Sequence, residues 1–243
     1  MPHSKHTVTA FDADLDSLKD NLMQMGELVE TAFADATKAL LSADQAAARK
    51  AIANDEAVDA LERRVEDAAV QTIVRRQPMA VDLRDIMAAT RIASELERIG
   101  DLAKNIAKRT LVLGSKEIPQ DLGERIAQMS ALAQRQLRQV LDAYAERDAV
   151  KAITIREGDS EIDVLNTEVF KESIEYISRT YKDVAGITHL LFCAKNIERV
   201  GDHVTNISEN VYFIATGSMP EVERTKRDAS SSIHPAGGEN TTS

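Results

Sequence analysis

The chain has 243 residues, a formal charge of −10 at neutral pH, 43 % apolar residues, no tryptophan and one cysteine. That charge opposes nonspecific binding to a phosphate backbone, and the lone Cys193 excludes an internal disulfide framework and fits a reducing cytoplasm. No apolar run approaches the roughly 20 residues of a membrane span, and Pro2 to Thr9 is too polar for a signal peptide, so a cytoplasmic helical protein is expected.

From Phe11 the apolar residues Leu15, Leu18, Leu22, Met25, Val29, Ala32, Ala36 and Leu40 recur three and four apart, the seam of a long amphipathic helix ending near Leu41. A second helix is predicted from Ser42 or Asp44 to about Arg76, burying Val58, Leu61, Val65, Ala69 and Ile73 and stopped by Pro78. A third runs from about Asp82 to Leu113, with Ile92, Leu96, Ile99, Ala103 and Ile106 inward and Gly114 at its end. Three further helices repeat the plan: Pro119 to about Arg147, about Ala149 to Tyr181, and about Val184 to Ala215, closed by Gly217. Each is roughly 30 residues, or about 45 Å long.

Short connections between long helices force antiparallel neighbours, so the fold class is all-α: two tandem three-helix bundles, six long helices related by duplication. The expected organisation is a flexible start over residues 1–9, a first bundle over 10–114, a second over 119–218, and a disordered polar tail over 221–243. Whether the bundles lie side by side or end to end is not encoded in the periodicity.

The duplication shows in two pairs of phrases. Glu97-Arg98-Ile99-Gly100-Asp101, continuing to Asn105-Ile106, recurs as Glu198-Arg199-Val200-Gly201-Asp202, continuing to Asn206-Ile207; upstream, Asp55, Asp59 and Leu61 recur as Asp159, Asp163 and Leu165. Carboxylates at i and i+4 repel one another on a helix, yet this chain places such a pair four times, at Asp55/Asp59, Glu97/Asp101, Asp159/Asp163 and Glu198/Asp202. Arg98, Lys104 and Arg199 are near enough to compensate by salt bridges. The other compensator is a cation held by oxygen donors, topped up by Asn105 or Asn206: magnesium, manganese, calcium or iron, with zinc less favoured because clustered Cys and His are lacking.

On a 100° helical wheel Glu97, Asp101 and Asn105 fall opposite the apolar stripe, so the row is expected to face outward, away from a buried di-iron site of the Glu-x-x-His kind. Leu102 also stands where the second copy has His203. His189 and Cys193 share the apolar stripe and read as packed core residues, while His3 and His6 sit in the flexible start. No phosphate-cradling Gly-rich loop and no nucleophile-base pair is present, so the chain reads as no enzyme. The alternatives are a metal-free helical adaptor, or a metal-dependent hydrolase using a metal-bound water at an outward carboxylate site.

Together with the segment Arg75-Arg76-Gln77-Pro78-Met79-Ala80-Val81-Asp82-Leu83-Arg84, these phrases resemble the PhoU family, accessory regulators of bacterial high-affinity phosphate transport, over about residues 8–218. The resemblance implies two three-helix bundles with an approximate twofold, and metal clusters held by Asp55, Asp59, Glu97, Asp101, Asp159, Asp163, Glu198 and Asp202, the metal itself being left open. It further implies a non-enzymatic negative regulator of the phosphate-starvation (Pho) response and of phosphate uptake. Such a regulator links a PstB-type transporter ATPase to a PhoR-type sensor kinase, is commonly a homodimer, and meets the membrane peripherally through partners. The second junction, Arg179-Thr180-Tyr181-Lys182, departs from the Arg75-Arg76-Gln77-Pro78 pattern, so the two junctions need not serve one partner.

Overall fold

A computed structural model describes residues 3–180, 183–221 and 227–233. The helices are α1 (His3–Leu41), α2 (Gln45–Ala53), α3 (Asp55–Arg76), α4 (Val81–Leu113), α5 (Gln120–Glu146), α6 (Ala149–Gly158), α7 (Ser160–Thr180) and α8 (Val184–Thr216), with a short 3-10 turn at Ser230–Ser232 and no strand among the described residues. These are the six expected helices with the second of each half divided. At both divisions the backbone stays right-handed helical, at Asn54 (φ −73, ψ −12) and Asp159 (φ −64, ψ −24). The chain therefore tightens and continues rather than turning away. Helix α1 begins upstream of Phe11.

The halves share their turn chemistry. Ala43 (φ 52) and Arg147 (φ 55) adopt left-handed conformations that end α1 and α5. Asp44 and Asp148 donate their backbone N–H groups back to Ala39 and Ala143, both at 2.9 Å, closing matching Schellman motifs. The same two aspartates cap the next helix: Asp44 accepts from the Ala46 and Ala47 amides, and Asp148 from the Val150 and Lys151 amides, all at 2.9 Å. Gln77 (φ 49) ends α3 ahead of Pro78, and Gly114 (φ 66) and Gly217 (φ 86) end α4 and α8, where glycine adopts the left-handed region without a Cβ penalty.

The cores are mostly aliphatic, as a chain with no tryptophan and 4 % aromatics favours. Leu22, Met25 and Phe33 of α1 pack with Ile92, Leu96 and Ile99 of α4 in one half, all fully buried. Ile126, Met129 and Leu137 of α5 meet Ile197, Val200 and Ile207 of α8 in the other.

The halves lie side by side. Helix α4 runs antiparallel to α8, as the pairs Glu95–His203 (2.6 Å) and Arg109–His189 (3.1 Å) fix, and α1 runs antiparallel to α5, with Lys19 Nζ donating to the Ala145 carbonyl at 3.0 Å and Arg138 Nε to Glu30 at 2.8 Å. Gly26 sits under Leu141 at that seam, where a Cβ has no room.

Candidate functional site

The division of the second helix in each half positions the carboxylates. It brings Asp55 and Asp159, the first residues of their Asp-x-x-x-Asp phrases, to the crossing with α4 or α8, where Asp55 is buried and Asp159 almost completely so. The glycine of the opposing Glu-Arg-x-Gly-Asp phrase lets the two helices approach closely, and in the second half the Asp159 carboxylate itself occupies that space. A Cβ on Gly201 would collide with the Asp159 carboxylate, and one on Gly100 would lie 3.3 Å from Val58 Cγ1. The repeated phrases are thus two sides of one helix crossing, built twice.

In the first half, Asp55 accepts a hydrogen bond from Lys104 Nζ, which also lies 3.6 Å from Asp101. The bond to Asp55 is the main reason the Lys104 ammonium is held above its ordinary pKa, with Asp101 and Asp59 adding to it. Glu97 is only loosely paired with Arg98, at 3.7 Å. Burial first, then the charges of Asp101 and Glu62, push its carboxyl above the usual carboxylate range. Glu62 is likewise raised, by burial and then by Glu66 and Asp59. Both raised carboxyls sit in a field with too little positive charge.

In the second half the cluster is more enclosed. Asp163 is fully buried and Glu198 is 2 % exposed. Lys195, one turn before Glu198, contacts its Oε1 at 2.8 Å. Burial still outweighs that contact, and with the charge of Asp202 it raises the Glu198 carboxyl. Asp163 Oδ2 accepts from the Arg227 amide at 2.7 Å. The remaining oxygens Asp163 Oδ1 and Glu198 Oε2 are buried without a hydrogen-bond partner, a costly condition for carboxylate oxygens in a folded interior.

Three expectations need correction. The row of Glu97, Asp101 and Asn105 does lie off the core, half-buried to exposed, but its repeat does not keep that exposure: Glu198 is buried because α7 leans over the face that a wheel of a single helix leaves in solvent, and Asp55, Asp159 and Asp163 across the crossings are buried as well. Nor does Asn206 top up the second cluster; its amide donates to Glu95 across the seam at 3.0 Å, and Asn105 is exposed. His189 is only half-buried, its Nδ1 facing Arg109, whose guanidinium also lies 4.2 Å from the centre of the Phe192 ring. Cys193 is fully buried.

Sequence reasoning missed Glu95, which binds both His203 (2.6 Å) and Asn206 (3.0 Å); these bonds hold its carboxyl below the usual range despite burial. The one visible signal was the asymmetry of His203 against Leu102. It also missed residues 227–233, placed by composition in a disordered tail, which pack on α7. Residues 222–226 and 234–243, and Tyr181 and Lys182 of the second junction, lie outside the described residues.

The donors are of the type a hard cation takes: carboxylate oxygens, two of them buried and unsatisfied. Among the described residues, however, no three Asp, Glu, His or Cys side chains already converge on one point. Lys104 and Lys195 supply the positive charge in this arrangement. A cation would enter by displacing an ammonium group and drawing the carboxylates together.

The family model described as PhoU domain matches the chain twice, over residues 22–110 and 126–211. A Rhizobium meliloti (strain 1021) protein named phosphate-specific transport system accessory protein PhoU homolog is 46 % identical over 233 residues, spanning 96 % of this chain and 98 % of its own. The Escherichia coli (strain K12) protein named phosphate-specific transport system accessory protein PhoU is 32 % identical over 214 residues, 88 % of each chain. The crystal structure of PhoU from Pseudomonas aeruginosa superposes with a TM-score of 0.82 at 29 % identity, covering 86 % of this chain and 100 % of that one.

Proposed function

This chain belongs to the PhoU family, and we propose that it is a non-enzymatic accessory protein of a phosphate-specific transport system that restrains phosphate uptake and represses the phosphate-starvation response. In this reading it couples a PstB-type transporter ATPase to a PhoR-type sensor kinase in the cytoplasm, as a homodimer that reaches the membrane only through partners. The observation that carries the reading is the pairing of family-wide similarity with a helix crossing that brings the same two carboxylate phrases together in both halves.

We further infer that each crossing holds a hard cation, iron, magnesium or manganese before zinc or calcium. Asp55, Asp59, Glu97 and Asp101 would hold one, and Asp159, Asp163, Glu198 and Asp202 the other. A bound cation would supply positive charge where burial and mutual repulsion now raise Glu97 and Glu198. It would lock α3 to α4 and α7 to α8, giving partners a rigid and less negative face.

One observation favours a second reading, a metal-free helical adaptor: Lys104 and Lys195 already pair with the clusters. Elemental analysis of protein purified without chelator separates the two. Capture of PstB-type and PhoR-type partners by wild type but not by Asp101→Ala/Asp202→Ala supports the first reading. Equal capture by a metal-free wild type supports the second.

A further inference from the structure

The two carboxylate crossings differ in one respect that the sequence repeat hides. The described partners of the first come from α3 and α4 themselves, whereas the second is crossed by residues from beyond the last helix. The Arg227 amide donates to Asp163 Oδ2 at 2.7 Å, and two residues on the Ala229 amide donates to Thr167 Oγ1, one turn along α7, at 3.1 Å. Between them Asp228 turns inward: its Oδ2 accepts from Lys195 Nζ at 2.9 Å, and its Oδ1 from the Ser230 amide at 2.9 Å. Lys195 in turn reaches Glu198 Oε1 at 2.8 Å.

This segment therefore satisfies one oxygen of Asp163 directly and anchors Lys195, which itself contacts one oxygen of Glu198. It leaves the other oxygen of each buried and without a hydrogen bond. A backbone amide and a shared ammonium group thus stand where an oxygen-seeking cation would bind, and they answer only half of the cluster's demand. The contacts are few, and Arg227 and Ala229 are exposed, so the segment lies on the surface and can lift without disturbing the bundle.

We propose that residues 227–230 are an internal ligand of the second carboxylate cluster which a hard divalent cation must displace, so that the two crossings bind cations unequally; this rests on reading the crossings as cation sites. The first crossing is open to a cation at the cost of moving Lys104 alone. The second opens only when the strap and Lys195 leave together. Occupation of the second crossing is thereby converted into release of the chain's end.

The test uses full-length protein and Mn2+ as the probe. With the first crossing silenced by Asp55→Asn/Asp101→Asn, Mn2+ binding is measured by calorimetry with and without Arg227→Pro/Asp228→Ala. That pair removes the amide donor and the carboxylate anchor without touching a helix. Affinity is expected to rise about tenfold when the strap is removed, as for a strap closed in about nine molecules of ten. In the wild-type chain, saturating Mn2+ should speed hydrogen exchange at the Arg227 and Ala229 amides. Equal affinity with and without the tail changes overturns the strap while leaving the cation reading intact. No Mn2+ binding at either crossing in any variant, with the two amides protected throughout, overturns the cation reading and the competition with it.

Discussion

Gly201 of α8 lies directly against the carboxylate of Asp159 at the start of α7, so closely that a single methyl group would occupy the space of Asp159 Oδ1. The equivalent contact of Gly100 is with Val58, a side chain with more freedom to give, at 3.3 Å. Gly201→Ala is therefore expected to destabilise the protein by about 1–3 kcal/mol, the range for overpacking a tight crossing, and Gly100→Ala by less. Urea unfolding of the two variants checks the order.

Lys104 neutralises Asp55, and replacing it by methionine takes the ammonium group away from both Asp55 and Asp101. With the Lys104 side chain 27 % exposed, the cost is expected to be about 2 kcal/mol, between that of a surface pair and a buried one. The same variant should gain more from Mn2+ than wild type does, because the cation no longer competes with an ammonium group. Thermal unfolding with and without Mn2+, and with Mn2+ stripped by chelator, measures both effects.

The helices and their ends were legible because each signal is local. Pro78 and Gly114 stop helices by their own backbone chemistry, and the apolar stripe of α4 from Ile92 to Ile106 is a property of one helix. What was not legible depends on a second element. The wheel places Glu97 and Asp101 opposite the core, but the burial of Asp159, Asp163 and Glu198 depends on how closely α7 approaches α8. The division at Asn54 carries no proline or glycine, and the one at Asp159 is marked only by the preceding Gly158, within an otherwise continuous helical pattern. The resting place of Asp228 depends on Lys195 and Thr167, far from it in sequence.

Across the seam, Glu95 links α4 to His203 and Asn206 of α8. A double-mutant cycle of Glu95→Gln and His203→Gln is expected to give a coupling of about 1–2 kcal/mol, as for a hydrogen bond involving a charged group. The measurement is unfolding free energy at neutral pH. A coupling near zero would show the pair to be structurally idle.

Two protons resist alkaline pH. Burial pushes the Cys193 thiol from 9.0 up to about 12, and burial together with Asp85 pushes the Tyr144 hydroxyl from 10.0 up to about 12. The folded state thus keeps protons that the unfolded chain releases, so stability should fall as pH rises from about 9 toward 12. Cys193 should stay unreactive toward a thiol reagent at pH 8 until the protein is unfolded. Unfolding midpoints across this range, with and without Cys193→Ala, test the thiol's share.

The most direct measurement is a phosphate-response reporter in phosphate-replete cells lacking this gene, complemented with wild type or with Asp101→Ala/Asp202→Ala. Folding of the double variant is confirmed by its thermal transition. The expected result is a derepressed reporter silenced by wild type and not by the double variant. Full silencing by the folded double variant would contradict a regulatory role for the carboxylate crossings, and a reporter that stays silent without the gene would contradict repression itself.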